Sequence, residues 1–185
     1  MIIIYIAYAL IIAVVSMLCF IPFVGYFFAA LITLIIEGPF LVGFAGVHAS
    51  IVRSGYVETN MFLDGFSNFW RSVAAFLSNT VLLICWTILL VVPGIIKSFA
   101  YSQTYFILSD FENLSVGEAR KLSAEIMRGN KWRLFLLRLS FIGWALVGII
   151  TLGIAFLWIM PYINATMAAF YDELIEEFKK KGGQE

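Results

Sequence analysis

The sequence predicts an all-α polytopic membrane protein: about six transmembrane helices paired as three helical hairpins, plus a short cytoplasmic amphipathic helix. Three observations predict it. Hydrophobic residues make up 62% of the 185 residues and charged residues only 13%, with a mean hydropathy of +0.97, whereas a soluble domain is roughly a quarter charged. Long apolar runs alternate with short Pro- or Gly-bearing breaks. Eleven of the twelve Lys and Arg lie in or beside two connectors and the C-terminal tail. A bilayer explains all three, because lipid removes the need for a polar exterior.

The first span is read over residues 2–20, IIIYIAYALIIAVVSMLCF, which is uncharged and long enough to cross as a helix. It lacks the basic start of a cleavable signal peptide, and a second apolar run follows at once. With no Lys or Arg ahead of it, a missing native leader is expected. Pro22 and Gly25 mark the first hairpin tip. The second span covers 26–52, roughly 40 Å at 1.5 Å per residue, so it must tilt or project. Gly38-Pro39 near its middle predicts a kink.

Residues 53–71 form a mixed connector in which Asp64-Gly65 signals a turn. The third span is 72–92, ended by Pro93-Gly94, and the fourth is the shorter 95–108. Residues 109–133 are the longest hydrophilic stretch and hold five of the twelve basic residues. Within them 115–129 reads as an amphipathic helix on the membrane surface or against the bundle. Ser115-Val-Gly-Glu118 fits a capping box, and Val116, Ala119, Leu122 and Ile126 recur on one face. The fifth span is 132–150, with its tip at Thr151-Leu-Gly153, and the sixth is 154–170, containing Pro161. Its helix is expected to continue through YDELIEEF, so 1–178 is one membrane domain and 179–185 a cytoplasmic tail. FWRSVAAFL and KWRLFLLRL open the last two hairpins with a shared Trp-Arg pair, the mark of a weak internal repeat. The basic connectors place both termini in the cytoplasm.

Of twelve acidic residues, Glu37 alone falls inside a predicted span. An ionised carboxylate there costs a few kcal/mol at least. It is either a proton or substrate site at a broken helix, or a neutral side chain bonded to a neighbouring helix. Ser102, Gln103 and Thr104, then Asn164 and Thr166, are the matching polar residues of the other two hairpins. With Glu37 they either line a polar path or serve as interhelical glue at about 1 kcal/mol per contact. The candidate intramembrane polar site is therefore Glu37, Gln103 and Asn164.

Pro39, Pro93 and Pro161 are the expected helix kinks, and Trp132, Arg133 and Lys97 the interface anchors. Arg138 should likewise reach for the headgroups. His48, the only histidine, cannot build a metal site alone and reads as a bonded helix-end residue. Cys19 and Cys85 sit far apart in apolar runs and read as small buried hydrophobes. The sequons at Asn113 and Asn164 are read as chance, one cytoplasmic and one intramembrane. Lys179 to Lys181 would attract anionic lipid. No nucleophile set, metal cluster or phosphate-cradling loop appears, so neither an enzyme nor a cofactor is expected. A basic, aromatic-interleaved patch is absent too, which argues against nucleic acid. The expected partners are the lipid bilayer and a protein, or a second copy, at the 109–133 face.

Several blocks in order resemble one family. They are Glu37-Gly-Pro-Phe-Leu-Val-Gly43, Leu63-Asp-Gly-Phe66, Val92-Pro-Gly-Ile-Ile96, LSVGEARKLSAEIMRGNKWRLFLL from Leu114 to Leu137, and Ser140-Phe-Ile-Gly-Trp144. Thr151-Leu-Gly153, Pro161-Tyr-Ile-Asn-Ala-Thr166 and Ala169-Phe-Tyr-Asp-Glu-Leu174 complete the set. Together they are similar to the bacterial integral membrane proteins grouped as domain of unknown function 975. The resemblance runs from about residue 37 onward and implies a polytopic helical protein of a bacterial plasma membrane. It implies no activity. Members usually begin with a basic amphipathic leader before the first span, so truncation or a different start is expected for this sequence. Two functions fit: a non-catalytic accessory or interaction component, or a small transporter or channel using Glu37 and the other polar residues.

Overall fold

The computed structural model describes residues 2–17, 24–56 and 60–182, and among these every regular element is an α-helix. In chain order they are α1 (Ile2–Met17), α2 (Val24–Ser54), α3 (Asn60–Ser67), α4 (Phe69–Leu89) and α5 (Val91–Ala100). Then follow α6 (Thr104–Asp110), α7 (Val116–Ile126), α8 (Lys131–Ser140), α9 (Ile142–Ile150) and α10 (Phe156–Lys180). Cys19 and Pro22 lie outside the described residues, and Gly25, the other residue expected at the first tip, lies within the first turn of α2.

By length and composition three stretches can cross a bilayer: Gly25–Ser54, Phe69–Leu89, and Lys131–Ile150, which joins α8 and α9. Several boundaries differ from the sequence reading. The 53–71 connector contains α3, where a loop with a turn was expected. Pro93 does not end the third span. It occupies the first turn of α5, where a missing N–H costs nothing, and extended Leu90 makes the break. The fourth span is two helices, α5 and α6, separated at 101–103. The fifth is interrupted at Phe141. Pro39 and Pro161 both lie inside unbroken helices, and α10 continues into its acidic end as read.

Glycine lets α3 pack closely against α2. A Cβ on Gly65 would strike the Pro39 carbonyl and the Gly43 backbone, and one on Gly38 would strike the Ser72 carbonyl. Bare backbones therefore meet there, as small residues permit in membrane bundles. Around this junction Phe40 packs edge-on with Phe62 and Phe66, and Phe62 packs at a tilt against Phe44 and Phe66.

Apolar side chains divide into two populations. One group, including Ile107, Ala119, Met127, Leu134, Tyr171 and Leu174, forms a buried core where α6, α7, α8 and α10 meet. The other points outward from the helices. It includes Val81, Ile84, Ile88 and Leu89 on α4, Val91, Val92, Ile95 and Ile96 around the α4–α5 turn, and Ile149, Ile150 and Leu152 at the last tip. Leu152 is 94% exposed and Ile150 80%, far more apolar surface than a soluble protein presents. Cys85 belongs to this outward population rather than to a core, contrary to the sequence reading.

Backbone geometry at the last tip fits the same surroundings. Every N–H from Thr151 to Ile159 donates within the turn, that of Ala155 to the Thr151 hydroxyl. Leu152 and Gly153 adopt positive φ to close it. A turn so satisfied can sit in hydrocarbon, where an unpaired amide costs several kcal/mol.

Candidate functional site

Charge gathers at the end opposite the tips. Arg53, closing α2, donates to both oxygens of Asp110 at 2.9 and 2.7 Å and to Asp172 on α10 at 2.9 and 2.5 Å. The Tyr171 hydroxyl also donates to Asp110, at 2.9 Å; burial, then the Asp110 charge, pushes that phenol well above its ordinary pKa. Arg71 donates to the carbonyls of Leu108, Phe111 and Leu114, satisfying the open end of α6. Arg133 pairs with Glu173 at 2.6 Å and Glu177 at 3.1 Å. A cavity of about 190 Å³ among α2, α3, α4 and α6 is lined by Arg53, Arg71, Asp64, Asp110 and Glu112.

The amphipathic helix joins this end through its cap. Ser115 and Glu118 form the reciprocal capping box, with the Ser115 N–H donating to the Glu118 carboxylate at 2.8 Å. Those bonds hold the Glu118 carboxyl below its ordinary pKa. Buried Ala119, Ser123 and Ile126 seat α7 against the bundle, while Glu118, Lys121, Glu125 and Arg128 face outward.

The three intramembrane candidates do not converge. Glu37 accepts a hydrogen bond from the Tyr8 hydroxyl at 2.8 Å, which ties α2 to α1. Gln103 lies fully buried at the α5–α6 break. Its N–H donates to Ser123 Oγ, and the Ser123 hydroxyl donates onward to the Ala100 carbonyl at 2.7 Å. The Gln103 side-chain oxygen has no partner among the described residues. Asn164 donates to Tyr5 Oη at 2.5 Å. Ser102 and Thr104 donate to the carbonyls of Phe99 and Tyr101, and Thr166 to that of Tyr162.

His48, read as a bonded helix-end residue, continues the Asn164 bond into a chain of defined polarity. His48 Nδ1 stands 2.6 Å from the Phe44 carbonyl, which can only accept, so Nδ1 carries hydrogen. In neutral imidazole Nε2 is then the acceptor for the Tyr5 hydroxyl, 3.0 Å away. The order is Asn164 to Tyr5 to His48 to Phe44, fastening α10, α1 and α2. Sequence reasoning missed Tyr5 and Tyr8, because apolar-run tyrosines look like lipid-facing bulk.

A larger cavity, about 430 Å³, lies beside this chain, lined by residues of α2, α4, α5, α6, α8, α9 flank and α10. His48, Asn79, Ser98, Tyr101, Ser102, Tyr105, Arg138 and Asn164 supply its polar groups, and the rest of its lining is apolar. Arg120 on α7 reaches it indirectly, donating to Asn79 at 2.7 Å and to Ser78. Of the expected anchors, Lys97 lies over the Trp86 and Tyr101 rings at 5.1 and 5.7 Å. Trp132 is exposed and stacks on Phe135, and Arg133 is engaged with α10. Among the described residues no three His, Cys, Asp or Glu side chains form a metal-sized group.

A family model described as protein of unknown function (DUF975) matches residues 72–177. That is more than half of the chain, and the protein belongs to this family. The Glu37 and Leu63 blocks lie ahead of the matched residues. No curated protein and no solved structure matches the chain.

Proposed function

We propose that this DUF975 member is a multi-pass protein of a bacterial plasma membrane that acts without catalysis, as an accessory or interaction component. In this reading three hairpins enter the bilayer from one side, giving six crossings. Both termini and the 109–133 face lie together in the cytoplasm. The observation that carries the non-catalytic reading is the dispersal of Glu37, Gln103 and Asn164. Each is spent on a separate contact, Glu37 and Asn164 between helices and Gln103 at the α5–α6 break, as structural glue would be.

The partner surface is the outward face of α7 and the turn after it, where Lys121, Glu125 and Arg128 are free of ion pairs among the described residues. Its test is a mild-detergent pull-down at native expression. The reading expects one protein, or a second copy of the chain, that is lost in the double charge reversal Lys121→Glu, Arg128→Glu. Repeated recovery of no partner contradicts it.

The larger cavity supports a second reading, a small transporter or channel. Proteoliposome flux decides between them. A flux abolished by Glu37→Gln favours transport through that residue; no flux under any gradient removes this reading.

A further inference from the structure

Arg138 lines the larger cavity from α8, inside the Lys131–Ile150 stretch. Its guanidinium stacks over Phe99 at 5.2 Å, and no carboxylate pairs with it among the described residues. Two further cations border the same space. Arg120 bonds to the lining Asn79 and lies 5.8 Å over the lining Tyr101 ring, and Lys97, one turn before Tyr101 on α5, lies over the same ring. Neither has an acidic partner among the described residues. The lining itself contains no Asp or Glu, and Glu37 is occupied by Tyr8 outside it.

An uncompensated Arg138 inside a stretch able to cross the bilayer is costly, and intramembrane arginines are ordinarily paired. At the charged end the same chain pairs Arg53 and Arg133 with two carboxylates each. The contrast points to a counter-ion that is not a protein side chain. The cavity's size, about 430 Å³, falls within the roughly 300–1,000 Å³ range of small-molecule sites. Its other walls, including Leu83, Phe141, Ile163 and Met167, are apolar. Polar donors on one side and hydrocarbon on the other suit an amphiphile.

We propose that this cavity binds the phosphate headgroup of an anionic lipid, with the Arg138 guanidinium as its main charge partner and the acyl chains against the apolar walls. A guanidinium offers a bidentate fork to phosphate, which gives Arg138 the leading role over Lys97.

The proposal rests on the membrane reading above, and the two fail separately. A chain recovered in water without detergent overturns the membrane reading; the following results concern only the site. Thermal unfolding of the detergent-purified full chain is measured with added phosphatidylglycerol, phosphatidylcholine or inorganic phosphate. Phosphatidylglycerol should raise the midpoint of the wild type and of Arg133→Gln. Arg138→Gln should need roughly tenfold or more lipid for the same shift, and Arg138→Lys an intermediate amount. Phosphatidylcholine should have little effect. A shift with inorganic phosphate alone, lost in Arg138→Gln, retains the phosphate site but overturns the lipid as its source. No shift with either anion, or equal shifts in wild type and Arg138→Gln, overturns the site. Photoactivatable phosphatidylglycerol tests the wild type without any variant: crosslinks should fall on the Ile163–Met167 segment, and crosslinks confined elsewhere overturn the proposal.

Discussion

The Arg53 guanidinium contacts carboxylates 57 and 119 residues further along the chain. Arg53→Lys keeps the charge but loses the fork, so it should behave more like Arg53→Ala than like wild type. Because Arg53 is 44% exposed, the expected loss is only about 1 kcal/mol, read as a lowered unfolding midpoint in detergent. Tyr8→Phe should cost more, about 1–3 kcal/mol, since it strips the Glu37 carboxyl of its recorded partner. Glu37→Gln keeps an acceptor for the same hydroxyl and should leave the midpoint nearly unchanged. The singularity of Glu37 was legible in sequence as the lone acid in a span, but its partner was not. Tyr8 gives no sign, in a run of aliphatic residues, that it faces inward.

Elements were legible where local chemistry decides them. The capping box at Ser115 and Glu118 starts α7 as read, and Gly129, at positive φ, follows its end. Ser115→Ala should destabilise by about 1 kcal/mol. Glu118 has a folded-state pKa below its unfolded value. Its contribution is therefore complete above the unfolded carboxylate range and fades as pH falls through the lower folded value. Acid titration of helicity should show that loss in wild type and not in Glu118→Gln. The breaks were less legible, because tertiary partners make them. Ser102, Gln103 and Thr104 look like polar residues within one span, yet the helix opens there and the Ser123 hydroxyl receives the Gln103 amide. Asp64-Gly65 reads as a turn by composition, but Gly65 is the close-approach point of α3 on α2. Gly65→Ala and Gly38→Ala should both reduce the yield of folded protein sharply, since each new methyl meets backbone rather than a movable side chain. Gly143→Ala, with open space around it, is the control and should be tolerated.

At the scale of the whole molecule, hydropathy and charge placement anticipated the two-ended character: outward apolar hairpins and an arginine-laced end that collects α2, α6, α7 and α10. From Asp172 back to Phe156 the helix α10 runs 17 residues, about 25 Å at 1.5 Å each, close to the thickness of the hydrocarbon. In the proposed topology residue 56, the 109–133 face and the end of α10 share one side, with the tips remote from it. Cysteine accessibility in oriented membrane vesicles tests this directly. In a chain with Cys19 and Cys85 replaced by Ala, single cysteines at Asn113, Gly182 and Leu152 are challenged with a membrane-impermeant thiol reagent. Positions 113 and 182 should label together from the cytoplasmic side, while 152 stays unlabelled from that side. Labelling of 113 and 182 from opposite sides, or of 152 together with them, would contradict the account.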